Sequence, residues 1–324
     1  MSPTGGPPGA PPDWSAVDVA VPRHPAPRLP GVRMAGFQYR ATADVPALLD
    51  IAMVAHPAVS VLVDLSDGEG FVYGAGGLHG RGSVVVGLLP GELRAGGRVG
   101  AILQIRLGPV AAAAVFGATS ELAGSVAPLE ALWGRDADRT EDRLRAAATW
   151  DDRFTIAADA LTARIASRVT SRTASHRVDP EVAVAWRRTL DRRGLVRVDD
   201  LADDVGWSRK RLSARFRAQL GVTPKRAACL VRFDHAAHLL AAGRTPSETA
   251  AASGYTDQSH LHREVKEFTG LTPTAVAAAP WLAIDDVAWP QSRPAGLTGS
   301  RVVREAQPLP MRHLGTLPSG AFRS

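Results

Sequence analysis

At residues 201–208 the chain reads LADDVGWS, and the motif GVTP follows at 221–224. A second stretch, at 250–257, reads AAASGYTD and is followed by GLTP at 270–273. The two proline motifs are 49 residues apart, and the glycines Gly206 and Gly254 are 48 apart. This period indicates that one structural unit occurs twice in the last third of the chain.

Each copy supplies the residues that a helix-turn-helix requires. Such a unit needs a small residue where the two helices cross, a residue that tolerates positive φ in the turn, and an N-cap for the second helix. In order, the residues that match in the first and second copies are Ala202 and Ala250, Gly206 and Gly254, and Ser208 and Asp257. The repeat therefore predicts two helix-turn-helix units.

The second helix of each unit must bury one side and leave the other side for DNA. Leu212 and Phe216 form the predicted buried side of the first, and Leu261, Val265 and Phe268 form that of the second. At about 100° per residue, the opposite faces carry basic and polar side chains that suit base edges. The exposed residues of the first helix are Lys210, Ala214 and Arg217, with Arg211 and Ser213 flanking, and those of the second are Ser259, Arg263 and Lys266, with Gln258, His260 and His262 alongside.

A connecting helix is predicted between the two units. Thr223 is its expected cap, Pro224 its first residue, and Gly243 ends it. Its apolar residues at helical spacing are Leu230, Phe233, Ala237 and Leu240. The segment TPSE at 245–248 has capping-box spacing for the next helix. Such a helix would hold the two reading helices at a fixed separation.

The charge distribution agrees with a nucleic-acid partner. The chain carries 38 basic and 32 acidic residues, and all of the net charge of +6 lies in residues 171–280, which hold 18 basic and 12 acidic residues. Eight basic residues and no acidic one lie between 205 and 232. We expect phosphate contacts from Arg209, Arg211, Arg217, Lys225, Arg232 and Lys266.

These motifs resemble the AraC/XylS family of bacterial transcription regulators over about residues 195–275. The resemblance rests on Leu201-Ala202, Gly206, Ser208, Leu212, Phe216, Gly221, Thr223-Pro224, Arg232, Gly254-Tyr255, Asp257-Gln258-Ser259, Leu261, Arg263, Lys266, Phe268, Gly270 and Thr272-Pro273. It implies a seven-helix domain that binds about two turns of DNA. The base contacts that it implies are Lys210, Ser213, Ala214, Gln258, Ser259, His260, His262 and Arg263. Val265 stands where the family usually has Phe, which predicts looser packing in the second unit.

The N-terminal part has a different pattern. Short apolar runs at 61–63, 84–89 and 102–107, separated by glycine clusters, predict strands and hairpins. Helices are expected at 110–116, 140–149 and 153–169, with Leu144, Ile156, Leu161 and Ile165 buried. The stretch at 100–109 and the one at 128–134 resemble a sensor domain that precedes AraC-type DNA-binding domains in actinobacterial regulators.

The expected fold class is α+β: a β-rich N-terminal domain with helices, then an all-α double helix-turn-helix domain. The predicted division is a disordered tail at 1–30, a sensor or dimerisation domain at 31–135, a helical linker at 136–177, the DNA-binding domain at 178–279 and a tail at 280–324. Trp281, Leu282 and Trp289 are expected to dock on the folded part.

The predicted function is sequence-specific transcription regulation, with an operator in double-stranded DNA as the partner and a small-molecule effector at the N-terminal domain. Alternatively, that domain only dimerises or docks a partner protein. A homodimer is compatible with this prediction, as is contact with RNA polymerase if the protein is an activator. The alternative of a non-specific DNA binder is disfavoured by the two distinct reading faces.

No catalytic constellation, metal site or cofactor is expected, so an enzyme with an unrecognised N-terminal site is the least favoured alternative. His235 and His238 are three residues apart but lack a third ligand in the sequence. Cys229, the only cysteine, is expected to be a small core residue. With no apolar run long enough for a bilayer, we expect no membrane partner and a cytoplasmic, nucleoid-associated protein.

Overall fold

The computed structural model describes residues 17–23, 29–39, 49–53, 55–66, 70–75, 78–88, 93–98, 100–117, 119–170, 178–278 and 288–289. Most of the two expected tails lies outside the described residues, as do Trp281 and Leu282. The disordered tail predicted at 1–30 is wrong for Val17–Ala20, which form a strand that pairs with Val32–Tyr39. Within the described part, strands and one α-helix precede residue 129, and helices follow it, which confirms the predicted α+β class.

Two antiparallel sheets form the N-terminal part. Their strands are β1 (Val17–Ala20), β2 (Val32–Tyr39), β3 (Leu49–Met53), β4 (Val59–Asp64), β5 (Gly70–Ala75), β6 (Leu78–Arg81), β7 (Val84–Val86), β8 (Leu93–Arg98), β9 (Ala101–Leu107) and β10 (Val126–Pro128). One sheet has the order β1-β2-β9-β4-β7-β10, and the other has the order β3-β8-β5-β6. The three predicted strand runs correspond to β4, β7 and β9.

The middle of the larger sheet is buried on both faces. Val61 of β4 lies opposite Ile105 of β9 and Val85 of β7, and these three pack in the main apolar cluster with the helices. The neighbouring Leu62 points to the other face and packs with Tyr73 of β5. This burial explains why β4 and β9 are mostly apolar, although Ser60 of β4 and Gln104 of β9 are buried polar residues.

The run at 84–89 is a strand only as far as Val86. The reason lies at Gly87, whose N–H donates to the carbonyl of Ser125. A Cβ at Gly87 would lie 1.6 Å from the carbonyl oxygen of Leu122. The chain therefore passes too close to a neighbouring backbone for any residue except glycine, and regular pairing stops there.

The helices that follow the sheets correspond in part to the predicted ones. They are α1 (Pro109–Phe116), a 3-10 helix (Thr119–Leu122), α2 (Leu129–Trp133), α3 (Arg135–Ala146) and α4 (Trp150–Thr170). The helix predicted at 110–116 is confirmed, those at 140–149 and 153–169 correspond to α3 and α4 with shifted ends, and α2 was not predicted. Leu144 and Leu161 are buried as expected, and Ile156 and Ile165 are partly buried against the same cluster.

Seven helices occupy the described stretch 178–278. They are α5 (Pro180–Asp191), α6 (Val198–Asp204), α7 (Arg209–Leu220), α8 (Pro224–Ala241), α9 (Pro246–Ala252), α10 (Gln258–Thr269) and α11 (Pro273–Ala277). This number agrees with the seven-helix domain that the resemblance implies. Helices α6 and α7 form the first predicted unit, α9 and α10 form the second, and α8 connects them.

The helical part packs directly against the N-terminal part. Thr119 donates its hydroxyl to the carbonyl of Gln219 in α7 at 2.9 Å, and it is buried there. Gly221, which ends α7, lies against Ser120 and Ala123. One apolar cluster runs through both parts without interruption.

Trp289 packs on the larger sheet. It is 1% exposed, lies in a small cluster with Ala35 of β2, and has the guanidinium of Arg106 4.2 Å above its ring. Its expected docking on the folded part is confirmed. Among the described residues, no helix combines the length and the apolar character that crossing a membrane requires.

Candidate nucleic-acid interface

The first unit has the local geometry that its sequence predicts. Gly206 adopts φ +68°, in the left-handed region that its turn requires. The Oγ of Ser208 accepts a hydrogen bond from the N–H of Arg211 at 3.2 Å, which caps α7. Leu212 and Phe216 are fully buried, and Ala202 lies at the crossing with 2% exposure. Helix α7 is therefore fixed at its N-terminus and along one side.

The second unit repeats this arrangement. Gly254 adopts φ +69°, and Asp257 accepts a hydrogen bond from the N–H of His260 at 2.7 Å. Leu261 and Val265 are fully buried. The N-terminus of α10 is thus held in the same way as that of α7.

Helix α8 connects the two units rigidly. Thr223 caps it, and its first residue is Pro224, as predicted. Phe233 of α8 stacks on Phe268 of α10, with ring centroids 4.9 Å apart. Thr245 and Glu248 make both hydrogen bonds of the predicted capping box at the start of α9. The reading helices consequently belong to one packed body.

The structure places the candidate base-contacting residues on the outer faces of α7 and α10. Ser213 and His260 are half-buried, and the other six are exposed, namely Lys210, Ala214, Gln258, Ser259, His262 and Arg263. On α10, Gln258 and His262 lie within 3.4 Å of each other, and Arg263 donates to the carbonyl of Ser259 at 3.4 Å. These contacts arrange the face of α10 before any ligand binds.

The candidate phosphate contacts fall into two groups. Arg209, Arg211, Arg217, Lys225 and Lys266 are exposed on and beside the two reading helices. Arg209 lies 3.5 Å from Asp199, and the guanidinium of Arg211 lies 4.4 Å from the ring centroid of Trp207. Both side chains therefore have a defined position at the N-terminal end of α7.

The second group consists of Arg232 alone, which lies inside the domain. Its guanidinium donates to both carboxylate oxygens of Glu264, and its side chain is 17% exposed. It also covers the ring of Tyr255 at 4.6 Å. The expected phosphate contact is thereby replaced by an internal ion pair, because a bound carboxylate already neutralises the guanidinium.

Two further basic residues of the run at 205–232 are also engaged within the protein. Arg215 donates two hydrogen bonds to Asp179, the residue that immediately precedes α5, and these bonds lower the pKa of the Asp179 carboxyl. Arg226 pairs with Glu267 of α10. The charge run thus supplies internal ion pairs as well as an exposed basic surface.

Tyr255 and Glu264 were not singled out from the sequence as site residues. Glu264 is 7% exposed on α10, although it is acidic. The available signal was its spacing, because residues 261, 264, 265 and 268 share one face of a helix. An acidic residue on that buried face requires partners in the interior, and the structure shows them in Arg232 and Tyr255.

The histidines of α8 and Cys229 lie outside the two reading faces. No cluster of three or more metal-ligating side chains occurs among the described residues. The side chain of His238 turns back onto its own helix, α8, where Nδ1 lies 2.7 Å from the carbonyl oxygen of Asp234. Burial raises the pKa of the Cys229 thiol, and the nearby Glu264 adds to this, so the thiol is held protonated.

The comparison with known families decides the identity of the C-terminal part. The family described as a helix-turn-helix domain matches residues 201–279. The chain therefore contains a helix-turn-helix domain at these residues. The match begins inside α6 and covers both reading helices, which are the elements that carry the exposed polar faces.

Relatives share this domain. An uncharacterized HTH-type transcriptional regulator of Bacillus subtilis, YbfI, is 37% identical over 66 residues, which are 20% of this chain and 24% of the relative. The match thus spans about a quarter of that relative's length.

Similar solved structures include the C-terminal domain of AraT, a response regulator from Geobacillus stearothermophilus. It is 22% identical and covers 32% of this chain and 87% of its own, with a TM-score of 0.30. ToxT from Vibrio cholerae is 10% identical and covers 77% of this chain and 98% of its own, with a TM-score of 0.43.

Proposed function

We propose that the protein is a sequence-specific DNA-binding transcription regulator of AraC type. The observation that supports this most strongly is the pair of capped helices α7 and α10, each buried on one side and polar on the other, on one connecting helix. Successive major-groove windows on one face of DNA recur about 34 Å apart, and a rigid pair of helices suits such a spacing.

In this proposal, the exposed faces of α7 and α10 select the bases, and the surrounding exposed cations bind phosphates. The proposed base contacts are Lys210, Ser213, Ala214, Gln258, Ser259, His260, His262 and Arg263. The proposed phosphate contacts are Arg209, Arg211, Arg217, Lys225 and Lys266, because these are exposed whereas Arg232 is paired internally.

The test is in vitro selection of fragmented genomic DNA from the source organism with the purified protein, at two salt concentrations. We expect a site with two short blocks about one helical turn apart, one for each reading helix. Recovery of one block would assign a supporting role to the other helix. Enrichment that is independent of sequence and disappears at moderate salt would favour a non-specific binder.

We further propose that a small ligand at the β-rich domain controls binding. The motive is the direct contact between the N-terminal part and the C-terminal end of α7, where Thr119 bonds to Gln219. A ligand that shifts this contact would shift the first reading helix. Thermal shift measurements against metabolite pools test the idea, since a ligand that binds the folded state raises its melting temperature. If no pool does so, dimerisation or partner docking becomes the favoured role of this domain.

A further inference from the structure

A buried polar cluster joins α10 to α8 and to the turn before α10. The hydroxyl of Tyr255 donates to Oε1 of Glu264 at 2.7 Å, and Arg232 donates to Oε1 and Oε2 of the same carboxylate at 3.2 and 2.5 Å. Glu264 and Tyr255 are 7% and 6% exposed. We call these three side chains the Glu264 cluster. Within it, the carboxylate of Glu264 accepts three hydrogen bonds.

The cluster is a costly way to hold two helices together. Removing a carboxylate and a guanidinium from water costs several kcal/mol per ion, and apolar replacements of buried ion pairs are often neutral or stabilising. The same two helices are already joined by the stack of Phe233 on Phe268. Stability alone therefore does not account for an acidic residue at position 264, and its neighbours indicate a second role.

The neighbour that faces the DNA-binding surface is His260, one turn before Glu264. Its Nε2 lies 4.0 Å from Oε2 of Glu264, and its Nδ1 lies 3.5 Å from the hydroxyl of Thr256. The imidazole also meets the ring of Tyr255 edge to face, at 5.2 Å between centroids. The side chain of His260 is 35% exposed. Contacts on several sides thus fix the ring while leaving part of it at the surface.

We propose that Glu264 is a positioning residue for base selection, which acts through His260. The carboxylate beside Nε2 favours the tautomer that carries its proton on this nitrogen, and the Tyr255 ring fixes the imidazole plane. In this tautomer the Nε2–H points towards Glu264 and Nδ1 remains as an acceptor, which selects a donor such as the exocyclic amino group of adenine or cytosine at one position of the site. This inference rests on the proposed function, because it assumes that α10 reads DNA.

The chain offers a matched control for this proposal. Arg226 and Glu267 form a second ion pair between α8 and α10, with side chains that are 35% and 58% exposed. Glu267→Gln therefore removes a carboxylate that bridges the same two helices, but outside the cluster. The test variants are Glu264→Gln and Tyr255→Phe, which keep the shape of each side chain, together with His260→Ala and the Glu264→Gln, His260→Ala double variant.

In vitro selection followed by affinity measurements on the selected site and on random DNA is the experiment. We expect Glu264→Gln to reduce discrimination at one position of the block read by α10 about tenfold, with the other block and random DNA unchanged. His260→Ala should lose the same preference, the double variant should lose no more, and Tyr255→Phe should shift the same position less. Glu267→Gln should retain the wild-type profile.

The proposal is overturned if Glu264→Gln keeps the wild-type base preferences. It is also overturned if the effects of Glu264→Gln and His260→Ala add up, or if Glu264→Gln weakens both blocks and random DNA together with a fall in melting temperature, which indicates a structural role only. A wild-type protein that binds DNA but enriches no sequence overturns the proposed function itself. That outcome is distinguishable, because it precedes any comparison of variants.

Discussion

The fold changes the titration of His235 on α8. Burial, with the nearby Arg193 and His238, lowers its pKa from 6.5 to about 4. The folded protein therefore disfavours the proton that the unfolded chain accepts. The stability from this group is complete above pH 6.5 and is lost as the pH falls from 6.5 towards 4.

We expect acidification from pH 7 to pH 5 to reduce the free energy of unfolding by about 1–2 kcal/mol through His235. His235→Gln should remove this contribution, so that its stability changes less over the same range. Urea denaturation at several pH values measures the difference. His262→Gln on the exposed face of α10 is the control and should follow the wild type. Parallel curves for His235→Gln and wild type would show that another group causes the loss.

Arg263 and Arg217 separate the two kinds of DNA contact. Both are exposed, but Arg263 lies on the predicted base-reading face of α10 and Arg217 belongs to the phosphate set. Arg263→Ala should cost about 1–3 kcal/mol at the selected site and relax one base position, whereas Arg217→Ala should weaken binding to all sequences similarly and reduce the salt dependence. Binding titrations on selected and random DNA test this. If the two variants behave alike on both DNAs, the assignment of roles is wrong.

Helix α7 depends on its buried side for its position. Leu212 is fully buried and lies one turn before Phe216, which packs near Trp186 of α5. Leu212→Ala should destabilise the protein by about 2–5 kcal/mol, because it removes apolar contacts and leaves a cavity. Chemical denaturation measures the loss. Lys210→Ala, exposed on the same helix, should leave stability nearly unchanged, and a near-neutral effect of Leu212→Ala would contradict the observed face.

The elements that the sequence predicted well are those whose signals are local. The caps at Ser208, Thr223 and Asp257, and the left-handed glycines Gly206 and Gly254, each depend on residues within one turn of themselves. A motif at the right spacing therefore suffices to place them. The exposed faces of α7 and α10 follow from the same periodicity.

The elements that escaped prediction depend on distant residues. Strand β8 contains Gly96 and Gly97, which weaken any local strand signal, and it is placed by pairing with β3 and β5. Arg232 belongs to the basic run and was therefore expected to contact phosphate, but Glu264, 32 residues further along the chain, pairs with it inside the fold. His260 is half-buried because its ring packs against Tyr255 and lies beside Glu264. Composition identifies such residues, and only tertiary packing decides which way they face.

On the scale of the whole molecule, the two parts share one interior. The apolar cluster extends from Leu29 before β2 to Val276 in α11, and Thr119 bonds across the junction to Gln219. A change in the N-terminal part therefore has a direct route to the C-terminal end of α7. Helix α10 ends at Gly270 without such a neighbour within 4 Å. Among the described residues, the contact between the N-terminal part and the end of a helix is therefore seen at Gly221 of α7 and not at Gly270 of α10.

Gly221 and Gly270 allow the strength of this junction to be measured. They end the two reading helices in the same left-handed conformation, with φ +76° and +70°. A Cβ at Gly221 would lie 2.4 Å from Cβ of Ala123 and 2.9 Å from Cα of Ser120, whereas a Cβ at Gly270 would meet nothing within 4 Å. In each alanine variant the left-handed backbone conformation lowers the free energy of unfolding by about 1–2 kcal/mol. Gly221→Ala must in addition displace the N-terminal part.

We therefore expect Gly221→Ala to be less stable than Gly270→Ala by about 1–3 kcal/mol, the usual cost of overpacking a tight contact. Urea denaturation of the full chain gives both values under the same conditions. The DNA profile should change differently as well, with Gly221→Ala affecting the block read by α7 and Gly270→Ala affecting the block read by α10. Equal free energies of unfolding for the two variants would mean that the contact at Gly221 accommodates an added methyl group without loss of stability. In that case the N-terminal part does not fix the position of the first reading helix.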